Sequence, residues 1–215
     1  MIRSLKISHL AILGVFFLVF FIAGCASEGD PKSLVVKGKT GQEVKLNGKW
    51  ITDCSNDGDS WKEDLLAISG SEFTQTTDVW LAGSSCGGAA EVVVRGKGTF
   101  SLGEPVSVNF GSANAVATKV DIATASLTAT PKNDVVAWAL SQANFFGYTD
   151  WIAGEARDIL GRDSQGNPVE NTLEKNVITV DDGVVPNKLY FGDTSAVGTD
   201  GYPTALDVSN AYKQK

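Results

Sequence analysis

A chain of 215 residues, 43% hydrophobic and 20% charged, is long enough for one medium domain with a buried core and is not disordered by composition. Its formal charge is −7, and Arg3 and Lys6 lie in an acid-free leader, so removal of that leader leaves 16 cations against 25 acids, a balance of −9. That acidity argues against nucleic acid as a partner and against electrostatic docking on anionic lipid. The only histidine, His9, lies in the same leader. Its loss excludes Ser–His–Asp and Cys–His nucleophile systems, His-ligated zinc and imidazole acid–base catalysis.

In chain order, a basic start is followed by an apolar run of 14 residues from Leu10 to Ala23. A membrane-spanning helix needs about 20, so the run has signal-peptide length. Ile22-Ala23-Gly24-Cys25 closes it and resembles the lipobox of bacterial lipoproteins. The resemblance implies cleavage before Cys25, which makes 1–24 a signal peptide. It also implies acylation of Cys25 by palmitate-like chains, so that membrane lipid becomes a partner through that residue. With Ala26 next, rather than aspartate, it implies the outer membrane, on either its periplasmic or its surface side. Two or more acyl chains give stable anchoring where one is marginal.

Residues 25–43 are polar and carry Gly29, Pro31, Gly38 and Gly41, the composition of a flexible tether in which only Leu34-Val35-Val36 can pack. Residues 44–215 read as one domain with strands over 46–53, 64–69, 72–81, 91–95, 98–102 and 105–110. Ser69-Gly70-Ser71 predicts a hairpin. In 72–81, Phe73, Thr77, Val79 and Leu81 share one face, opposite Glu72, Thr74, Thr76 and Asp78, the period of two that a half-buried sheet requires. Alternation is strongest over 115–129, where Val116, Thr118, Val120, Ile122 and Thr124 oppose Lys119 and Asp121. One helix is predicted over 133–144, capped by Asp134, with Val136, Trp138 and Leu140 as its apolar side. Strands over 153–160, 172–180 and 187–191 follow. The expected fold is mainly β, a single antiparallel barrel of 8–10 strands with one short helix.

Cys54 and Cys86 remain once Cys25 is acylated, and in an exported chain they are expected to form a disulfide. Leu46-Asn47-Gly48-Lys49-Trp50 holds a Gly-x-Trp at the start of the first strand, which resembles the opening motif of lipocalin-like (calycin) barrels. With the cysteine pattern and the later Gly147–Trp151, Leu189–Gly192 and Tyr202–Leu206 segments, the chain is similar to small bacterial lipoproteins carrying such barrels. The resemblance implies that Trp50 packs across a closed barrel end. It departs from typical lipocalins in having its helix within the strand series rather than after the last strand.

Several motifs have competing readings. Gly83-Ser84-Ser85-Cys86-Gly87 matches a nucleophile elbow but lacks a histidine base, so it reads as a glycine-rich loop. Gly38-Lys39-Thr40 lacks the upstream glycine of a phosphate loop. Asp53, Asp57, Asp59 and Asp64 fall at calcium-loop spacing with Gly58 at the turn, which makes calcium the one cofactor suggested, against a solvated acidic loop. Glu63 with Asp64, and Glu155 with Asp158, are carboxylate pairs of the kind a glycosidase needs. Trp80 falls on the polar face of its strand, so it lines a partner surface, stacks on sugar or packs under a loop. The functional expectation is a non-enzymatic envelope protein that binds a small apolar ligand or an envelope protein. The alternatives are an adaptor with a solid barrel, and a carboxylate-dependent hydrolase of cell-wall material.

Overall fold

The computed structural model describes residues 33–56, 60–81, 85–169 and 173–215. Cys25 and the leader fall outside them, as do Asp57, Asp59, Gly83 and Ser84. Among the described residues twelve strands run in chain order. They begin with β1 (Val35–Lys37), β2 (Glu43–Lys45), β3 (Gly48–Ile51), β4 (Ser55–Asn56), β5 (Ser60–Ser69) and β6 (Glu72–Leu81). The long strands β7 (Val92–Phe110) and β8 (Ala113–Pro131) precede helix α1 (Asp134–Gln142), and β9 (Arg157–Asp158), β10 (Glu174–Asp181), β11 (Lys188–Phe191) and β12 (Tyr212–Gln214) complete the series.

Ten strands form one antiparallel sheet in the order β10-β11-β12-β3-β5-β6-β7-β8-β9, with β4 beside β5. A further β10–β8 pairing, from Glu174 against Ile122 to Ile178 against Thr118, joins the two sides of the sheet. Eight strands thus curl into a near-barrel ring, and the unpaired edges that would otherwise invite association are consumed internally. The hairpin β1–β2 lies apart from this sheet, yet Val36 is buried, and Lys39 N donates to Val180 O at 2.8 Å. Packed β-structure therefore reaches back into the stretch read as tether, through the three residues singled out there as able to pack.

The β5–β6 hairpin closes through Gly70 and Ser71, with Ser69 opposite Glu72 and Gly70 at φ +58°, a backbone setting that glycine adopts freely. β5 extends four residues further toward the N-terminus than expected. The three short strands predicted between 91 and 110 are one strand of 19 residues. Gly96, Gly98 and Pro105 look like breaks in the sequence, but β8 offers an unbroken partner, and the ladder absorbs them as register shifts at Lys97/Gly98 and Leu102/Pro105. Gly98 is required by close approach, since a Cβ there would sit 2.2 Å from Ala123 O and 2.8 Å from the Phe73 ring. The strand predicted over 153–160 shrinks to two residues of β9, paired with Thr128 and Ala129, while Ile159 beside it is buried.

Helix α1 forms where predicted, but its cap is Asn133, whose Oδ1 accepts Val136 N at 2.9 Å, and not Asp134. Trp138 is 66% exposed and is not part of the packed side, whereas Val136 and Ala137 are buried. Two residues apart on a helix is about 200° of rotation, so Val136 and Trp138 cannot face the same neighbour.

The apolar core has three parts. Inside the ring, Val36, Leu46, Trp50, Ile68, Val120, Ile178, Val180 and Leu189 pack against one another. The helix side is covered by Val136, Ala137, Trp151 and Ile159 over Val92 and Ala129. On the outer face of β7–β8, Val108, Ala115 and Ala117 meet Val177, Tyr190 and Leu206. This outer layer went unforeseen because alternation in β8 marks only one face as apolar, and alanine is too small to mark the second. Trp80 is also buried, opposite Trp61 in the β5–β6 ladder, and does not present a free aromatic surface.

Candidate functional site

Alternation along the ring strands sends every second side chain inward, and the interior they enclose is unevenly filled. Around Trp50 it is solid: the indole is fully buried, with Nε1 donating to Leu46 O at 2.8 Å. Beyond that plug lies a cavity of about 330 Å³. Its apolar wall comes from Leu66, Phe73, Phe100, Ile122, Leu127 and Phe191, with Tyr212 beside them, and its polar wall includes Asp64, Gln75, Glu174, Asn176 and Asp207. The volume falls at the lower end of the range for small-molecule sites, and the mix of apolar walls with a few fixed polar groups is typical of them.

The aromatic wall is continuous. Phe73 stacks on Phe100 at 4.6 Å between centroids, Phe100 meets Phe191 at 6.4 Å, and Phe191 meets Tyr212 edge-on at 5.8 Å. The first pair follows from the ladder, which sets Gly98 opposite Phe73 and leaves no Cβ between that ring and its neighbour on β7.

The polar groups are held by bonds among themselves. Asp64 Oδ1 accepts Gln75 Nε2 at 3.1 Å and the Thr77 hydroxyl. Asn176 Oδ1 accepts Gly192 N at 2.8 Å, and its amide donates to Glu174 Oε1 at 3.0 Å. Asp207 takes Ser209 N and Oγ on one oxygen and Asn210 Nδ2 on the other. Burial pushes the Asp207 carboxyl up, but those donors outweigh it and leave its pKa below the ordinary value. Burial, and secondarily the charge of Asp64, pushes the Tyr212 hydroxyl well above its ordinary value.

These shifts set the expected pH response. Hydrogen bonds from Asn167 and Ser195 lower Asp163 and Asp193, and Lys119 lowers Asp200. A lowered carboxyl stabilises the fold above its unfolded value near 4, and the contribution is lost as pH falls through the folded one. Tyr190, Tyr202 and Tyr212 are raised, so their contribution holds below about 10 and is lost above it. No histidine occurs among the described residues. The melting temperature is therefore expected to be flat from about pH 5 to about pH 9 and to fall on both sides; a transition near pH 6.5 in a scan of unfolding against pH would contradict this.

The structure joins two of the sequence-predicted site residues and parts others. Cys54 and Cys86 are joined in a disulfide, with Cα atoms 6.0 Å apart. Of the calcium-loop candidates, Asp53 is exposed and engaged by Lys213 Nζ at 2.6 Å, while Asp64 is turned into the ring toward Gln75 and Thr77. The reason is strand geometry. Thr52 N donates to Asp64 O, so the two chains are paired here, with Thr52 on the cavity wall and the next residue, Asp53, on the other face. Asp53 and Asp64 thus lie on opposite faces, Asp57 and Asp59 fall outside the described residues, and among the described residues no three His, Cys, Asp or Glu are grouped as metal ligands. Glu63 and Asp64, adjacent on β5, likewise face opposite ways, and Glu155 and Asp158 are both exposed. The cavity residues on β5, β8, β10 and the C-terminal segment were not predicted as a set, because only ring closure brings them together. No protein-family model matches this chain, and no curated protein is similar to it.

Proposed function

We propose that this protein is a lipid-anchored lipoprotein of the bacterial outer membrane whose lipocalin-like domain binds, without chemical conversion, a small and largely apolar ligand inside the ring. The cavity of about 330 Å³ carries this reading, since its aromatic wall offers apolar area and its polar wall offers fixed orienting groups. The Trp50 plug is consistent with the lipocalin likeness. The anchor rests on the leader and Cys25. Cys25→Ser is expected to leave the protein unacylated and free of the membrane fraction; an unchanged fractionation would count against the anchor.

Gly96 provides the test of the cavity. It lines the wall, and a Cβ there meets Leu127 Cδ1 at 3.5 Å, an ordinary contact. Gly96→Leu should therefore fill the hollow without breaking the strand. An apolar fluorescent probe such as N-phenyl-1-naphthylamine is expected to bind the unaltered protein and to lose at least about tenfold in affinity on Gly96→Leu, about 1.4 kcal/mol or more. Equal binding by both proteins would place the probe elsewhere and remove the reading.

A second reading has its own observation. Val135 and Trp138, three residues apart on α1, are 76% and 66% exposed, the pattern of an adaptor that holds an envelope protein through one helix face.

A further inference from the structure

We propose that the occupant of the cavity is a small organic cation, a protonated amine or quaternary ammonium on an apolar body, a specificity that rests on the cavity being a binding site at all. The charge of the wall is the first observation. Asp64, Glu174 and Asp207 line it against a single cation, Lys62. Among the described residues none of the three carboxylates forms an ion pair, although Glu43, Asp53, Asp150, Asp181 and Asp200 each do. They are held instead by neutral donors, namely Gln75 and Thr77, Asn176, and Ser209 with Asn210. Amide and hydroxyl donors fix a carboxylate in place without cancelling its charge, so the hollow keeps a negative potential, which solvent screens least at the half-buried Asp64 and Asp207 and most at the exposed Glu174.

The aromatic wall is the second, independent observation. Phe73, Phe100, Phe191 and Tyr212 form an unbroken run of rings along one side of the same hollow. A ring face carries negative charge density and attracts a cation within about 6 Å of its centroid, which it does not do for an anion. The surface of this protein already uses the interaction, with Lys39 4.7 Å above Phe110 and Lys119 5.0 Å above Tyr202. Rings and fixed carboxylates together suit a cationic head on an apolar body. An anionic ligand such as a fatty acid would bring a fourth negative charge against three. A bare metal ion would find carboxylates spread over three segments and, among the described residues, no grouped donors.

The decisive measurement is calorimetric titration of the mature acylated protein in neutral detergent with three probes of one ring system, 1-naphthylmethylammonium, 1-naphthylmethanol and 1-naphthoate. The ammonium is expected to bind at least about tenfold more tightly than the alcohol, with the carboxylate weakest. Glu174→Gln keeps an acceptor for Asn176 and removes one charge, and should reduce the ammonium-to-alcohol ratio by about fivefold; Asp64→Asn should reduce it similarly. An alcohol that binds as well as the ammonium, with both blocked by Gly96→Leu, would overturn the cation specificity and leave the binding site standing. A ratio unmoved by both charge variants would overturn it as well. Binding of none of the three probes would remove the site together with the specificity.

Discussion

Trp50→Ala is expected to lower the stability of this protein by about 3–5 kcal/mol, the cost of removing a large aromatic side chain from a packed interior. The indole is fully buried among Val36, Leu46, Ile68 and Leu189, so water cannot reach the space it would vacate. Its Nε1 also satisfies Leu46 O, which would be left unpaired in an apolar setting at a further cost of about 1–3 kcal/mol unless it relaxes toward solvent. Trp50→Phe separates the two contributions, because it keeps most of the ring and loses only the donor. Urea unfolding should show a lower midpoint with an unchanged slope for both variants, and the phenylalanine should recover more than half of the loss. A loss below about 1 kcal/mol for Trp50→Ala would mean that the plug is not where the ring derives its rigidity.

The second large effect belongs to the Cys54–Cys86 disulfide. The two residues are separated by 32 positions, and in the chain-entropy account closing a loop of that length stabilises the fold by about 3.7 kcal/mol. The loop encloses the whole β5–β6 hairpin, whose strands carry Asp64, Leu66, Phe73 and Gln75 of the cavity wall. Cys54→Ala with Cys86→Ala is expected to lower the melting temperature by roughly 7–15 °C for a domain of this size. The same shift should follow reduction of the unaltered protein, and reduction should do nothing further to the double variant. A shift under about 3 °C would show that the hairpin is held by its ladders alone.

The two effects differ in how visible their causes are in the sequence. The disulfide was legible by elimination, because the acylation expected at Cys25 leaves two cysteines in a chain expected to be exported. The burial of Trp50 rested on a Gly-x-Trp motif, and the structure supplies the contacts that explain it. Asp53 and Asp64, two of the four calcium-loop positions, show the limit of local spacing. Spacing along the chain places Asp53 and Asp64 as for a helix-flanked loop, but strand pairing across Thr52 and Asp64 turns them to opposite sides.

Features with a short reach along the chain were determined by the sequence itself. The β5–β6 turn, both bounds of β6, the inward face of β8 and the existence of α1 each depend on neighbours within a few residues, through side-chain alternation, a glycine at positive φ or a capping side chain. Only the tertiary structure decided the continuity of β7, the burial of Trp80, the outer apolar layer under Leu206 and the hollow beside Trp50. Each of these depends on which strand lies opposite, and pairing such as Glu174 against Ile122 is a contest among many distant partners whose alternation is equally regular. The carboxylates and rings of the cavity come from segments as far apart as Asp64 and Tyr212, so no local pattern contains them. They become neighbours only because the sheet closes on itself, where the energy of burying both of its faces outweighs the entropy of joining distant parts of the chain.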